Sequence, residues 1–328
     1  MKKLFLTLFI SLFSFSCNTS EATLKITDFK ENTKPDILYK LKNEKDITNK
    51  LTNIRQNFQS ITIKDKIYLL GGDTTAIISS ENESYNLFDF TAKQNASLQT
   101  LKTSFGISYY DNKIYTIGGY LSGLQTNDVS VYDISKNLWE KKTPLQIKRS
   151  GLSVVQTENK FYAIGGFIGS GSWSNDLEIY DTKEDFWIKL NTMKKPRSNH
   201  ASILIKDKIY VFGGENETGV LNSVEEYSIK FDRWKQKNPI PEELSSAKVF
   251  NIDDYIILLG GKNKDKKASK SVYIYNTTND KWIKSEDLNQ TLDGFGLAVD
   301  EKNKKLYVLG GLRNGVISDK ITSYDIDS

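Results

Sequence analysis

The sequence predicts an all-β protein built from six copies of one four-stranded antiparallel module, and three observations carry the prediction. Paired glycines stand at Gly71-Gly72, Gly118-Gly119, Gly165-Gly166, Gly213-Gly214, Gly260-Gly261 and Gly310-Gly311, at intervals of 47, 47, 48, 47 and 50 residues. A near-constant period of that length marks a repeat architecture whose modules bury their apolar faces only against their neighbours. Each pair ends an apolar run, such as Ile67-Tyr68-Leu69-Leu70 or Ile209-Tyr210-Val211-Phe212, and only the fifth copy replaces the tyrosine, with Ile257. Downstream, four copies carry a tyrosine and, seven residues on, a tryptophan: Tyr132/Trp139, Tyr180/Trp187, Tyr227/Trp234 and Tyr275/Trp282.

The elements of a module follow from these marks. Before the glycine strand, turns at Asp65-Lys66, Asn112-Lys113, Asn159-Lys160 and Asp207-Lys208 join it to a preceding strand as a hairpin. The seven-residue spacing would put tyrosine and tryptophan on opposite faces of one continuous strand, so a turn is expected between them. Asp133 to Asn137 and Asn276 to Asp280 supply its chemistry. Two copies depart from the pattern. In the first, Phe88-Asp89 takes the Tyr-Asp position and Asn95 stands where tryptophan belongs, which predicts a loose outer strand. The last stops at Tyr324-Asp325-Ile326 without a tryptophan strand. An unpaired sheet edge invites aggregation. The extended segment Ile37-Leu38-Tyr39-Lys40-Leu41 is therefore expected to supply the missing strand and close a ring.

Glycine pair, tyrosine, then tryptophan, repeated at about 50 residues, resembles the kelch repeat over residues 37–328, and six copies resemble a six-bladed β-propeller. Tryptophan-aspartate repeats carry Gly-His and Trp-Asp signatures that are absent here. The kelch resemblance implies that the glycines let inner strands approach closely and that the aromatics bury area between blades. It also implies that ligands meet one mouth of the channel, at the loops entering the innermost strands and the loops following the glycine pairs.

Composition is that of an ordinary globular protein, 38% hydrophobic and 26% charged, with a net charge of +4 spread along the chain, so no nucleic-acid partner is expected. One cysteine and one histidine exclude disulfide scaffolds and zinc sites built on several such ligands, and neither metal nor cofactor is expected. Met1-Lys2-Lys3, an apolar run of 12 residues from Leu4 to Phe15, and Ser16-Cys17 form a signal-peptide pattern. The run is short of the roughly 20 residues of a spanning helix. Cys17 resembles the lipidated cysteine of bacterial lipoproteins, although Ser14 and Phe15 depart from the usual lipobox; the alternative is an incidental cysteine after an ordinary signal. The expected organisation is a signal at 1–16, a lipid-anchored tether at 17–36 and one propeller at 37–328, exported and held in the bacterial envelope, at the outer membrane. Loss of Lys2 and Lys3 lowers the net charge to +2.

Candidate site residues come from the repeat register. Sixteen residues before the first glycine stand Arg55, Lys102, Arg149 and Arg197, then Leu244, with Leu292 equivalent in the sixth copy. Three of the five arginines share this register, which suggests a crescent that forks onto a carboxylate or phosphate. The alternative is that the arginine belongs to the repeat and satisfies backbone carbonyls of an adjacent blade. Directly after the glycine pairs stand Asp73, Tyr120, Phe167, Glu215, Lys262 and Leu312. Tyr120, Phe167 and Trp173, the last on the Gly/Ser segment Ile168 to Ser174, are candidate ligand contacts; a tryptophan there stacks on a sugar or protein, or anchors its loop. His200 and Glu215 are candidate proton-transfer groups, against a histidine simply hydrogen-bonded at the channel wall. Lys262 to Lys270 is read as a solvated loop.

Three functions compete. The first is a monomeric, non-catalytic propeller that binds an anionic or carbohydrate ligand or a protein partner, touching membrane only through its lipid. The second, implied by resemblance to the periplasmic sialic acid mutarotases, is an isomerase in which Arg149 and Arg197 hold a carboxylate while His200 or Glu215 moves a proton. The third is a structural envelope component.

Overall fold

The computed structural model describes residues 39–74 and 77–327, and every helix-or-strand element among them is a β-strand. The expected signal segment, Cys17 and the tether lie outside the described residues. The strands build six four-stranded antiparallel sheets. In the first, Gln59–Ile63, Lys66–Leu70, Asn82–Asn86 and Ala92–Gln94 follow one another as a meander from inner to outer edge. The next four sheets repeat that order. The sixth takes Gly296–Asp300, Lys305–Leu309 and Ile321–Asp327 from the end of the chain and its outer strand, Lys40–Asp46, from the beginning. The expected strand at Ile37 to Leu41 thus lies several residues further along the chain, and its first two residues fall outside the described ones.

Local sequence explains the strand ends. The inner hairpin of the first sheet pairs Ile63 with Lys66, so its turn is two residues long, with Lys64 at φ 55°. Turns this tight match the twist of the strands they join. The sixth sheet pairs Asp300 with Lys305, which adds two of the extra residues in the last glycine interval. The tyrosines and tryptophans face each other directly across the outer hairpin, as Tyr132↔Trp139, Tyr180↔Trp187, Tyr227↔Trp234 and Tyr275↔Trp282. Each indole donates to a carbonyl of the preceding sheet: Trp139 to Ala96 at 2.8 Å, Trp187 to Thr143 at 2.9 Å, Trp234 to Asn191 at 2.7 Å and Trp282 to Asn238 at 2.9 Å. The tryptophan therefore clasps one module to the one before it as well as filling space.

The first sheet corrects one expectation. Tyr85, paired with Ile67, holds the register of Tyr227, which pairs with Ile209. Phe88 is an almost fully exposed turn residue, and the tryptophan position is Ala92, opposite Tyr85, not Asn95. The outer strand there is only three residues long.

The core lies between sheets. One cluster joins Tyr115, Ile117, Val129 and Val131 of the second sheet to Phe161, Ala163, Tyr180 and Trp187 of the third. Another joins Ile67, Leu69 and Tyr85 of the first to Tyr307, Leu309 and Ile321 of the last. Burying one such side chain contributes roughly 1.5–3 kcal/mol, and no module has a second layer of its own to bury it against. The glycine pair sits between two entry segments, the next module's against the first glycine and its own module's against the second. A Cβ on Gly213, at φ +57°, would come 2.1 Å from the Leu244 carbonyl oxygen, and one on Gly214 would come 2.6 Å from that of Ser198. Close approach at this crossing, more than at an axis, is what requires glycine.

At the inner-strand entrance the chain forms a collar. Asn57, Ser104, Gly151, Asn199, Ser246 and Gly294 share one register and all have positive φ, from 52° to 62°. Four donate their N–H to the collar carbonyl of the preceding module: Asn57 to Gly294 at 2.8 Å, Gly151 to Ser104 at 2.7 Å, Asn199 to Gly151 at 2.7 Å and Ser246 to Asn199 at 2.6 Å. These bonds offset the cost of holding non-glycine residues in the left-handed region.

Candidate functional site

The segment before each inner strand pairs with the segment after the glycine pair, so both kinds of loop gather at one end. The pairings are Gln56↔Asp73, Thr103↔Tyr120, Ser150↔Phe167, Ser198↔Glu215, Ser245↔Lys262 and Asp293↔Leu312. This end is the mouth at which candidate residues are to be judged.

The basic crescent does not face it. Arg55, Lys102, Arg149 and Arg197 are at most 1% exposed, and each already has a carboxylate. Arg55 Nη2 meets Glu83 Oε2 at 2.5 Å, Lys102 Nζ meets Asp128 Oδ2 at 2.8 Å, Arg149 Nη2 meets Glu178 Oε1 at 2.9 Å and Arg197 Nη2 meets Glu225 Oε1 at 2.7 Å. The three guanidiniums also donate to the first glycine of their own pair, at Gly71, Gly165 and Gly213. They are struts that tie the entry segment to the second and third strands of their own repeat, not of an adjacent one. Sealed from solvent and each already paired with a carboxylate, none of the four can fork onto a ligand, and the crescent as an anion site is corrected on that ground. Burial pushes the Lys102 ammonium down to about 8, although Asp128 pulls the other way. Burial alone would raise Asp128, but Lys102 and further hydrogen bonds outweigh it and hold that carboxyl at about 2.

The remaining two repeats complete the comparison. In the fifth, the register of Glu225 holds Tyr273 and that of Arg197 holds Leu244, so both ends of the ion pair are replaced together. In the sixth, Leu292 replaces the arginine, and Arg313 enters the equivalent space from after the glycine pair. It donates to the carbonyls of Gly310, Val308 and Lys320 and to Thr322 Oγ1. Four of the five arginines are therefore buried struts.

His200 stands in the register that holds Phe58, Phe105 and Phe295 in other repeats, packed on a glycine of the preceding pair: a Cβ on Gly165 would lie 2.8 Å from its Cε1, as one on Gly71 would lie 2.9 Å from Phe105 Cε1. Its Nε2 is 2.7 Å from Ser153 Oγ, and its Nδ1 is buried without a partner. Burial, then the nearby Arg197 and Arg149, push the imidazole down to about 3. A group held neutral in the core, with no carboxylate to orient it, is not a general acid or base at neutral pH. The proton-transfer role of His200 is corrected accordingly, and with Arg149 and Arg197 spent the mutarotase assignment loses its carboxylate ligands.

Other candidates do meet at the mouth. Phe167 and Trp173 pack with ring centroids 5.2 Å apart, and Trp173 Nε1 donates to Ser198 Oγ at 3.1 Å. Glu215 Oε1 accepts from Asn199 Nδ2 at 2.7 Å. These four, with Asn199, line a cavity of about 220 Å³. Tyr120 and Phe167 share a second, of about 450 Å³, with Leu124, Lys148 and Ile168. The segment from Ile168 to Ser174 is no loose loop: strands Lys160–Gly169 and Ser172–Asp181 run through it and leave only Ser170 and Gly171 to turn. Trp173 is thereby a half-buried wall of the cavity.

Two features escaped the sequence. Large apolar side chains are exposed around the mouth at Ile54, Ile77, Leu101, Leu124, Ile168 and Val316. Their shared position, directly before the strut or a few residues beyond the glycines, was available as a signal. Lys248 lines the channel in a register that elsewhere holds Gln59, Gly106, Ser153, Ala201 and Gly296, and a charge among such residues was equally visible.

The KLHDC2/KLHL20/DRC7 Kelch-repeats domain matches the chain over residues 57–238 and again, in a shifted register of repeats, over 104–311. No curated protein matches it. Together with the glycine-pair period, the Tyr–Trp hairpins and the propeller-like stack of four-stranded sheets, the match shows that the chain belongs to the kelch-repeat family.

Proposed function

We propose that this protein is a six-bladed kelch propeller that acts as a protein-interaction module, docking its partner on the channel mouth. Kelch repeats typically mediate protein interaction. The observation that carries the reading to this surface is the set of exposed apolar side chains on the first, second, third and sixth repeats, Ile54, Ile77, Leu101, Leu124, Ile168 and Val316, next to the Phe167/Trp173 cavity. Apolar groups gathered at one end of a molecule favour a partner there. The fifth repeat instead presents exposed Lys264, Lys266 and Lys267, giving the mouth a charged side that sets orientation. Six blades and closure by the N-terminal strand are supported by the pairing of Lys40–Asp46 with Ile321–Asp327 and by the core shared between the first and last sheets. The envelope location and the lipid on Cys17 rest on the pattern of residues 1–17.

A photo-crosslinking amino acid placed at Leu124 should capture a defined partner in the producing cell, while one at the exposed outer-strand position Phe186 should not. Equal capture at both positions, or none at Leu124, defeats the docking assignment. Metabolic labelling with a fatty-acid analogue that vanishes in Cys17→Ser tests the anchor separately.

A further inference from the structure

We propose that the channel beneath the collar is a binding site for a small monocarboxylate, with the Lys248 ammonium as its charged contact. All six collar residues border a cavity of about 250 Å³, and below them its walls are inner strands. Lys248 is the one formally charged side chain that lines it.

Three comparisons inside the molecule set this lysine apart. The buried cations Arg55, Lys102, Arg149 and Arg197 each have a carboxylate within 2.9 Å, and Arg313 has carbonyls and a hydroxyl. The Lys248 ammonium, partly open to the cavity, has no hydrogen bond or ion pair to any described protein group. Asp293 opposes it through space, with Oδ2 engaged by Lys262 at 3.2 Å and Oδ1 buried without a hydrogen bond. Second, the charge is no requirement of the repeat, because Gln59, Gly106, Ser153, Ala201 and Gly296 serve the same register. Third, desolvation by the surrounding walls holds this ammonium below the ordinary lysine range, with Asp293 pulling the other way, while the residue stays partly open to the cavity. A cation with no contact partner in a polar cavity is the arrangement expected where a ligand supplies the opposing charge.

The rest of the wall narrows the ligand class. Ser202 Oγ and His200 Nδ1 are buried without partners on the same cavity, giving neutral groups for a hydroxyl or a second oxygen. Lys262 and Asp293 cancel, so the net charge is that of one ammonium, which matches a monoanion better than a phosphate dianion. A lysine is a compact point charge with three donors and needs no bidentate partner. The volume lies below the roughly 300–1,000 Å³ of pockets for drug-sized ligands, which limits the ligand to a molecule of a few carbons. The site differs from the protein-docking mouth, and either can fail without the other.

Calorimetric titration in low-chloride buffer at neutral pH tests the proposal with gluconate, its uncharged counterpart sorbitol, and sulfate. Gluconate is expected to bind and sorbitol not. Lys248→Gln, which copies the first repeat and so suits the fold, should weaken gluconate about tenfold or more, and Ser202→Ala several-fold. No gluconate binding up to about 50 mM, or unchanged affinity in Lys248→Gln, overturns the site. Sulfate binding more tightly than gluconate overturns the carboxylate class. As a check that needs no variant fold, the NMR signal of ¹³C-methylated Lys248 should move on adding gluconate; a stationary signal under saturating ligand sinks the proposal.

Discussion

In the fourth repeat Arg197 lies wholly buried against Glu225, with its other donors on the carbonyls of Gly213 and Ser223; in the fifth, the same two positions hold Leu244 and Tyr273. Both sheets have four strands, the same Tyr–Trp clasp and the same glycine crossing, so the architecture tolerates either chemistry. A buried ion pair gains from mutual attraction but has to overcome the desolvation of two charges. The Leu244 and Tyr273 pair gains from transfer and packing, with the Tyr273 hydroxyl donating to Glu242 at 3.2 Å. The difference teaches that the basic register is one of two interchangeable ways to fasten an entry segment to its sheet. Its absence from the fifth repeat is therefore a change of fastener, not the gap in a ligand-binding arc.

Breaking one half of the fastener is expected to have the largest effect. Glu225→Ala leaves the Arg197 charge buried and uncompensated, and should lower stability in urea unfolding by about 3–5 kcal/mol. Exchanging the whole fastener sharpens the comparison: Arg197→Leu with Glu225→Tyr should recover to within about 1 kcal/mol of the natural protein, a strongly non-additive cycle. Additive losses would show that the fifth repeat depends on features the fourth lacks. His200 gives a smaller, pH-dependent contrast. Its imidazole takes a proton in the unfolded chain near 6.5 but in the folded protein only at about 3. The unfolded state thus binds more protons between these values, and stability falls as pH drops through that window by up to about 1.4 kcal/mol per unit. His200→Phe, the residue of the first, second and sixth repeats, should abolish that slope in thermal melts between pH 6.5 and 4. The smallest effect is expected at the mouth, where Leu124→Ser should change stability by less than about 0.5 kcal/mol while reducing partner capture.

How much was legible depends on how far each interaction reaches. The period, the hairpins and the Tyr–Trp pairing are local and repeat several times, so neighbouring residues suffice to read them. The first repeat was misread by three residues, from Tyr85 to Phe88, because its outer strand lacks the tryptophan that would have fixed the register. The arginines were visible but their fate was not, since Arg55 and Arg197 find their glutamates 28 residues away, at Glu83 and Glu225. A search for acids 12 residues beyond the first glycine of each pair finds both, whereas Glu178, 13 beyond Gly165, lies one residue outside it. His200 looks reactive from its residue type alone, whereas its register, which holds Phe58, Phe105 and Phe295 in other repeats, marks it as core. Lys248 needed the same cross-repeat alignment to stand out.

The collar has an electrical consequence. Four of its six N–H groups donate in one rotational sense, each to the module before it. Amide dipoles laid head to tail along a helix add up to a partial charge at each end. The same dipoles laid tangentially around an opening cancel across the diameter. With four such bonds at six positions the entrance lends little polarity of its own, and the field along the channel rests mainly on individual side chains, Lys248 first among them.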